Sequence, residues 1–159
     1  MFGVSVISRH RTIHASPEAV WGVLADFASI STWADNVDHS CLLHTGEPGV
    51  GMTRRIQAGR TTVVERIVTW EPLATLAYDL EGLPPVVRSA RNRWDLTPES
   101  GATRVTLTST VDAGPRPPQQ LVARVVGRVL ARQSDVMLAG LAAATSHDSA
   151  AATEGSARV

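Results

Sequence analysis

The sequence predicts an α+β domain in which a curved, seven-stranded antiparallel sheet grips one long C-terminal helix, with two short helices closing one end around a cavity. Three observations carry this reading. A capped, short helical segment at residues 15–33 interrupts an otherwise strand-like N-terminal half. From residue 37 to 113, β-branched and aromatic runs alternate with Gly/Pro/Asn/Asp turns. One long run with helical apolar spacing then follows a proline-rich stop. A largely antiparallel meander with one terminal helix packs most simply with the helix across the concave face of the sheet.

Taken in order, residues 3–14 are rich in Val, Ile and Thr and read as a strand. Ser16 is a good N-cap, Pro17 suits the first helical position, and Glu18 meets the positive end of the helix dipole. Val20, Trp21, Val23, Leu24 and Phe27 follow on one face, and a second short turn begins at Ser29. Strands are then expected at 37–45, 50–57, 60–70, 74–81, 86–97 and 103–113, separated by hairpin-like connections. The segment Gly114, Pro115, Arg116, Pro117, Pro118 stops the sheet. A helix is expected over 119–144, with Leu121, Val122, Val125, Val126, Val129, Leu130, Met137 and Leu141 as its apolar face. The remainder is small and polar, so the division is one folded domain at 1–145 and a disordered tail at 146–159.

Composition narrows the function. The chain has 159 residues, 43% of them hydrophobic, which suits one globular domain with a full core. The formal net charge is zero, so no global field draws it to nucleic acid or an anionic membrane. No apolar run is long enough to span a bilayer, and the N-terminus lacks a signal-peptide pattern. The single cysteine, Cys41, excludes an internal disulfide and fits a cytoplasmic location. All fifteen basic residues are arginine, which reads as the codon usage of a high-GC bacterial genome. A monomer or homodimer is expected.

Strand parity selects the side chains that face the interior. Between residues 50 and 96 the even positions are the apolar set, including Met52, Val64, Leu76 and Tyr78, with Trp70 and Trp94 read as core. In the last strand the odd positions take that role, among them Ser109. The same parity turns Arg54, Arg66, Arg88 and Asn92 inward, while Glu65, Asp79 and Asp95 fall on the polar face. Inward arginines either carry their charged heads to solvent on apolar stems or orient a ligand. Arg66, mid-strand between Val64 and Val68, is the strongest candidate to hold an anionic or carbonyl oxygen, helped by Tyr78 or Asn92. Trp33, Val126 and Met137 complete the candidate ligand contacts.

Other constellations carry less. His10 with His14, and His39 with Cys41, are pairs on single strand faces, short of the three or four converging ligands a metal needs. No nucleophile elbow or Ser/Cys–His signature occurs. Pro48, Gly49, Val50 and Gly51 form a hairpin turn and not a phosphate loop, since no helix follows. Arg124, Arg128 and Arg132 recur every four residues on the terminal helix, a pattern of a solvated helix back. No catalytic residue, metal or cofactor is therefore assigned.

A set of motifs runs in order along the chain: ASPEAVW at 15–21 with Leu24 and Asp26, then Trp33, Val37 and PGVG at 48–51. ERIV at 65–68, Glu71, Pro72, Tyr78, WDLTP at 94–98 and GATRVT at 101–106 follow. Together these motifs resemble the START-like, helix-grip superfamily (SRPBCC), and within it the polyketide cyclase/dehydrase-like members, which implies that 1–145 is a START-like ligand-binding domain. The sequence departs at Asp35 and Asn36, where relatives often carry a proline, in the loop near the expected cavity mouth. The resemblance implies a helix-grip fold with an interior cavity. It also implies binding of a hydrophobic small molecule such as a lipid or polyketide, for transport, sequestration or sensing. The alternative it implies is a cyclase/dehydrase that folds and polarises a reactive chain in the same cavity. A third possibility is an interaction protein using the arginine stripe or the cavity rim.

Overall fold

A computed structural model describes residues 4–44, 46–85, 87–114 and 117–156; in the terminal helix the side chains of 117–120, 122, 123, 126 and 147–156 lie outside the description. The elements run β1 (Val4–Ile13), α1 (Pro17–Ala25), a 3-10 helix (Phe27–Thr32), β2 (His39–Leu42), β3 (Thr53–Ala58), β4 (Thr61–Glu71), β5 (Thr75–Glu81), β6 (Ser89–Glu99), β7 (Ala102–Asp112) and α2 (Pro117–Ser156). The expected strand ends at Gly3, Thr45 and Val86 lie outside the described residues.

All seven strands form one antiparallel sheet in the order β1-β7-β6-β5-β4-β3-β2. The meander pairs each strand from β2 to β7 with its successor, and β1 closes the far edge on β7. This is the α+β helix-grip architecture, with α2 against β1, β7 and α1. Ser16 caps α1 as the sequence requires: its Oγ accepts from the Ala19 N–H at 3.2 Å. Thr103 ties the start of α1 to the sheet by donating to the Ala15 carbonyl at 2.8 Å.

The core lies between the concave face and the three helices. Trp94, Tyr78, Phe27, Ile30, Ile67, Leu76, Leu107 and Leu141 are its largest fully buried members. Aromatic rings meet edge to face, Phe27 on Tyr78 at 5.6 Å and Trp33 on Trp94 at 6.1 Å. These geometries place ring edges on π faces, the favourable quadrupole arrangement.

Parity holds in β3, β5, β6 and β7 and is reversed in most of β4. There the odd residues Val63, Glu65 and Ile67 are buried, whereas Arg66 is exposed and Val64 and Val68 are half-buried. A register shift between Ile67 and Thr69 against β5 is the cause. An irregularity of this kind moves later side chains to the other face, so Trp70 again packs inward, against Trp21 at 5.1 Å.

The terminal helix also differs from expectation. Ala131, Ser134, Met137, Leu138, Leu141 and Thr145 are buried, at the i, i+3, i+4 spacing of one face. Leu121, Val125 and Val129, expected on that face, are exposed, and Val122 and Val126 have side chains outside the description. The helix runs on past the expected end near 144 to Ser156, through an alanine-rich stretch with high helix propensity.

Candidate functional site

The concave face carries a belt of polar side chains across five neighbouring strands, from β3 to β7. Direct cross-strand partners share a face in an antiparallel sheet, and the register pairs Arg54 with Glu65, Tyr78 with Asn92, and Asn92 with Ser109. All five side chains are buried. Arg54 Nε donates to Glu65 Oε1 at 2.7 Å. Arg54 Nη1 donates to the Phe27 carbonyl at 2.9 Å, and the guanidinium carbon lies 3.6 Å from the centroid of the Phe27 ring. The charge is thus met by a carboxylate, a carbonyl and a π face, the partners a buried guanidinium requires.

Ser109 Oγ donates to Asn92 Oδ1 at 2.6 Å. Trp94 Nε1 donates to the Tyr78 hydroxyl at 3.3 Å. Burial pushes the Tyr78 phenol above its ordinary 10.0, and the negative charge of Glu65 adds to the rise; Arg54 and hydrogen bonds with Trp94 and Asn92 pull the other way.

Above part of this belt is a cavity of about 230 Å³. Glu65, Asn92 and Ser109 contribute from the sheet, Leu130, Gln133, Ser134 and Met137 from α2, and Ile30, Asn36 and Val37 from the 3-10 helix and the loop after it. Ile56, Val63, Leu80 and Leu83 make the wall largely apolar. A further pocket of about 60 Å³ shares Leu80, Leu83, Asn92 and Leu130 with it. Asn36 Oδ1 is buried without a hydrogen-bond partner among the described residues. A wider, open depression of about 500 Å³ lies around Asp79, Glu81, Arg88 and Arg91. The cavity of about 230 Å³ is the candidate site because it combines apolar walls with a few convergent polar groups. Among the described residues no three His, Cys, Asp or Glu side chains converge on a point where a metal could bind.

Of the residues singled out in the sequence, Asn92, Ser109 and Met137 line this cavity. Arg54 and Tyr78 lie in the polar belt outside its lining, and Met52, Leu76 and Trp33 are buried core. Val126 has its side chain outside the described residues. Two arginine assignments are corrected. Arg66 points to the convex surface and pairs with Glu81 at 3.3 Å, and Arg88 is exposed at the open depression. Val64 follows Arg66 onto the outer face, since it shares its parity. Conversely Glu65, expected on the polar face, is buried in the cavity wall. Asp79 does pair on the surface, accepting from Arg91 at 2.6 Å. Sequence reasoning missed Glu65 and Asn36 as wall residues. The signal for Glu65 was its cross-strand position opposite Arg54, which requires the register.

Known proteins place this geometry. The chain matches the family described as "Polyketide cyclase / dehydrase and lipid transport" over residues 5–145. No curated protein matches the sequence. Among solved structures, the Zhui aromatase/cyclase from Streptomyces sp. R1128 superposes with a TM-score of 0.75 at 19% identity, covering 90% of this chain and 94% of that one. The di-domain aromatase/cyclase StfQ from the steffimycin biosynthetic pathway gives a TM-score of 0.79 at 13% identity, with 92% of this chain matching 52% of that one. Ara h 8.0201 gives 0.68 at 14% identity over 90% and 99% of the two chains. At these identities the likeness is one of fold. With the family match spanning almost the whole domain, the chain belongs to the polyketide cyclase/dehydrase and lipid transport family of the START-like, helix-grip superfamily.

Proposed function

We propose that this protein binds a compact hydrophobic small molecule in the cavity between the concave sheet, α2 and the loop at Asn36, with residues 1–145 as the binding domain. The observation that carries the reading is the cavity itself. Its walls are mainly apolar, and Glu65 on β4 and the cross-strand pair Asn92 on β6 and Ser109 on β7 line it from the sheet. Apolar walls supply affinity and convergent polar groups supply orientation. Asn92, Ser109 and Met137, with Glu65 and Asn36, are the proposed contacts. No helix among the described residues is long and apolar enough to cross a membrane, and exposed, unpaired Cys41 fits a reducing cytoplasm. Titration with an environment-sensitive apolar dye is expected to saturate near one site per chain, and native mass spectrometry to show a co-purifying small molecule or an uptake of one equivalent. Absence of any saturable binding would overturn the proposal.

One observation favours a second reading, a cyclase/dehydrase-type enzyme. The charged group in the described wall is a carboxylate, Glu65, a group able to accept a proton from a carbon acid held against it. Deuterium exchange at C1 of 2-tetralone, a neutral and weakly acidic ketone, followed by NMR, is expected under this reading to be accelerated by the protein and to lose that acceleration in the double variant Arg54→Met with Glu65→Gln, which removes the carboxylate without stranding a buried charge.

A further inference from the structure

Inward arginines in the sequence point to an acidic ligand, and the structure removes each of them from the cavity. Arg54 is committed to Glu65 and the Phe27 carbonyl. Arg66 is on the convex face with Glu81, and Arg88 is exposed. Among the described residues lining the cavity, Glu65 is the one charged side chain. From this reversal of sign we infer that the cavity selects ligands bearing hydrogen-bond donors, hydroxyl, phenol or ammonium groups on an apolar body, and excludes carboxylates. The inference rests on the binding function proposed above and adds the chemical class.

Two wall groups present acceptors, and a third residue of the wall, Asn36, holds one behind the cavity surface. An ionised carboxylate offers about four lone-pair sites, and Arg54 Nε takes one of those on Glu65 through Oε1. Ser109 commits its hydroxyl proton to Asn92 Oδ1, so the lone pairs of its oxygen remain as acceptors. Asn36 Oδ1 is buried and has no donor among the described residues. A buried acceptor without a donor is costly, and a ligand hydroxyl relieves that cost once the Asn36 side chain turns its oxygen to the cavity. A ligand carboxylate brings two more acceptors and a second negative charge beside Glu65. In a wall this apolar, like charges are poorly screened; Arg54, outside the lining, is already shared between Glu65 and the Phe27 carbonyl, and the described lining holds no second cation for a ligand carboxylate. Ser134 and Gln133, which can donate or accept, adjust to either.

The test is a matched probe series on the full-length protein at neutral pH: 2-naphthol, naphthalene and 2-naphthoate, each measured by displacement of a bound fluorescent dye. The expected order of affinity is naphthol, then naphthalene, then naphthoate, with naphthol at least about tenfold tighter than naphthoate. In the double variant Arg54→Met with Glu65→Gln, which removes both charges together and leaves neither buried alone, that ratio is expected to fall by about tenfold. Naphthoate binding as tightly as naphthol to the wild-type protein would overturn the inference and leave the binding function standing. Failure of the dye and all three probes to bind saturably would overturn both.

Discussion

Arg54 and Glu65 face each other across β3 and β4 with Nε 2.7 Å from Oε1, and each side chain keeps only 3% of its surface exposed. Removing one partner of a buried ion pair strands the other charge, at a cost of about 3–5 kcal/mol, whereas removing both leaves no charge to solvate. Arg54→Met and Glu65→Gln are therefore each expected to destabilise the fold strongly in urea denaturation. The double variant is expected to be more stable than Arg54→Met with Glu65 intact. Additive losses in that cycle would show that the two side chains act independently.

Tyr78 lies beside this pair and is the only tyrosine in the chain, so its phenolate absorbance can be followed directly. Its folded-state pKa is raised above 10.0, first by burial and then by the charge of Glu65. Below pH 10 the phenol is protonated in both states and contributes no pH dependence. Above pH 10 the unfolded chain loses the proton while the folded chain keeps it, so the unfolded state binds fewer protons and stability falls as pH rises. The expected result is phenolate that emerges only with alkaline unfolding. In Tyr78→Phe, stability at neutral pH drops by about 1 kcal/mol through the lost hydrogen bond, and the decline above pH 10 flattens. Reversible phenolate formation near pH 10 in the folded protein would contradict this account.

Arg66 offers the converse case. Its side chain is 49% exposed and that of its partner Glu81 is 52% exposed, the regime in which ion pairs contribute roughly 0–1 kcal/mol. Arg66→Met is expected to leave the urea midpoint and dye affinity almost unchanged, with any small loss reduced further in high salt. A tenfold loss of dye affinity would return Arg66 to the binding site.

The contrast between Arg54 and Arg66 shows where the sequence is legible. Turn chemistry, the Ser16 cap and the period-2 pattern identify the helix-grip order, because those signals are local. In β4 the two faces offer Val63, Glu65, Ile67 and Thr69 against Val64, Arg66, Val68 and Trp70, so hydrophobic alternation does not decide between them. The deciding facts are the register shift between Ile67 and Thr69 and the position of Glu65 opposite Arg54, both of which depend on neighbouring strands. A similar limit applies to α2. Val125 and Val129 satisfy a helical apolar pattern yet are exposed, since Ser134, Leu138 and Leu141 set the buried face. Asn36 enters the cavity wall through the shape of a loop, which no periodicity reports.

The packing of α2 against the end of the 3-10 helix leads to the last expectation. A Cβ placed on Gly140 would overlap the Trp33 carbonyl oxygen, with the carbonyl carbon at 3.1 Å and the Ala34 Cα at 3.6 Å. Every one of these neighbours is backbone, so no side chain can rotate aside, and either the helix or the loop must shift. Leu138 and Leu141, 2% and 0% exposed, flank the contact on α2, and Trp33 stacks edge-on against Trp94. A shift there would therefore loosen core contacts on both sides. Gly140→Ala is expected to cost about 3 kcal/mol, at or beyond the upper end for overpacking, despite the better helix propensity of alanine. Gly22→Ala in α1 is the control, because nothing lies within 4 Å of its added Cβ. It is expected to gain about 0.5–1 kcal/mol from propensity alone. Thermal melts of the two variants should move in opposite directions. A stabilised Gly140→Ala protein would mean that α2 does not approach Trp33 this closely. Since Asn36 and Met137 line the cavity from the same loop and the same helix, dye affinity is expected to fall with Gly140→Ala and to hold with Gly22→Ala.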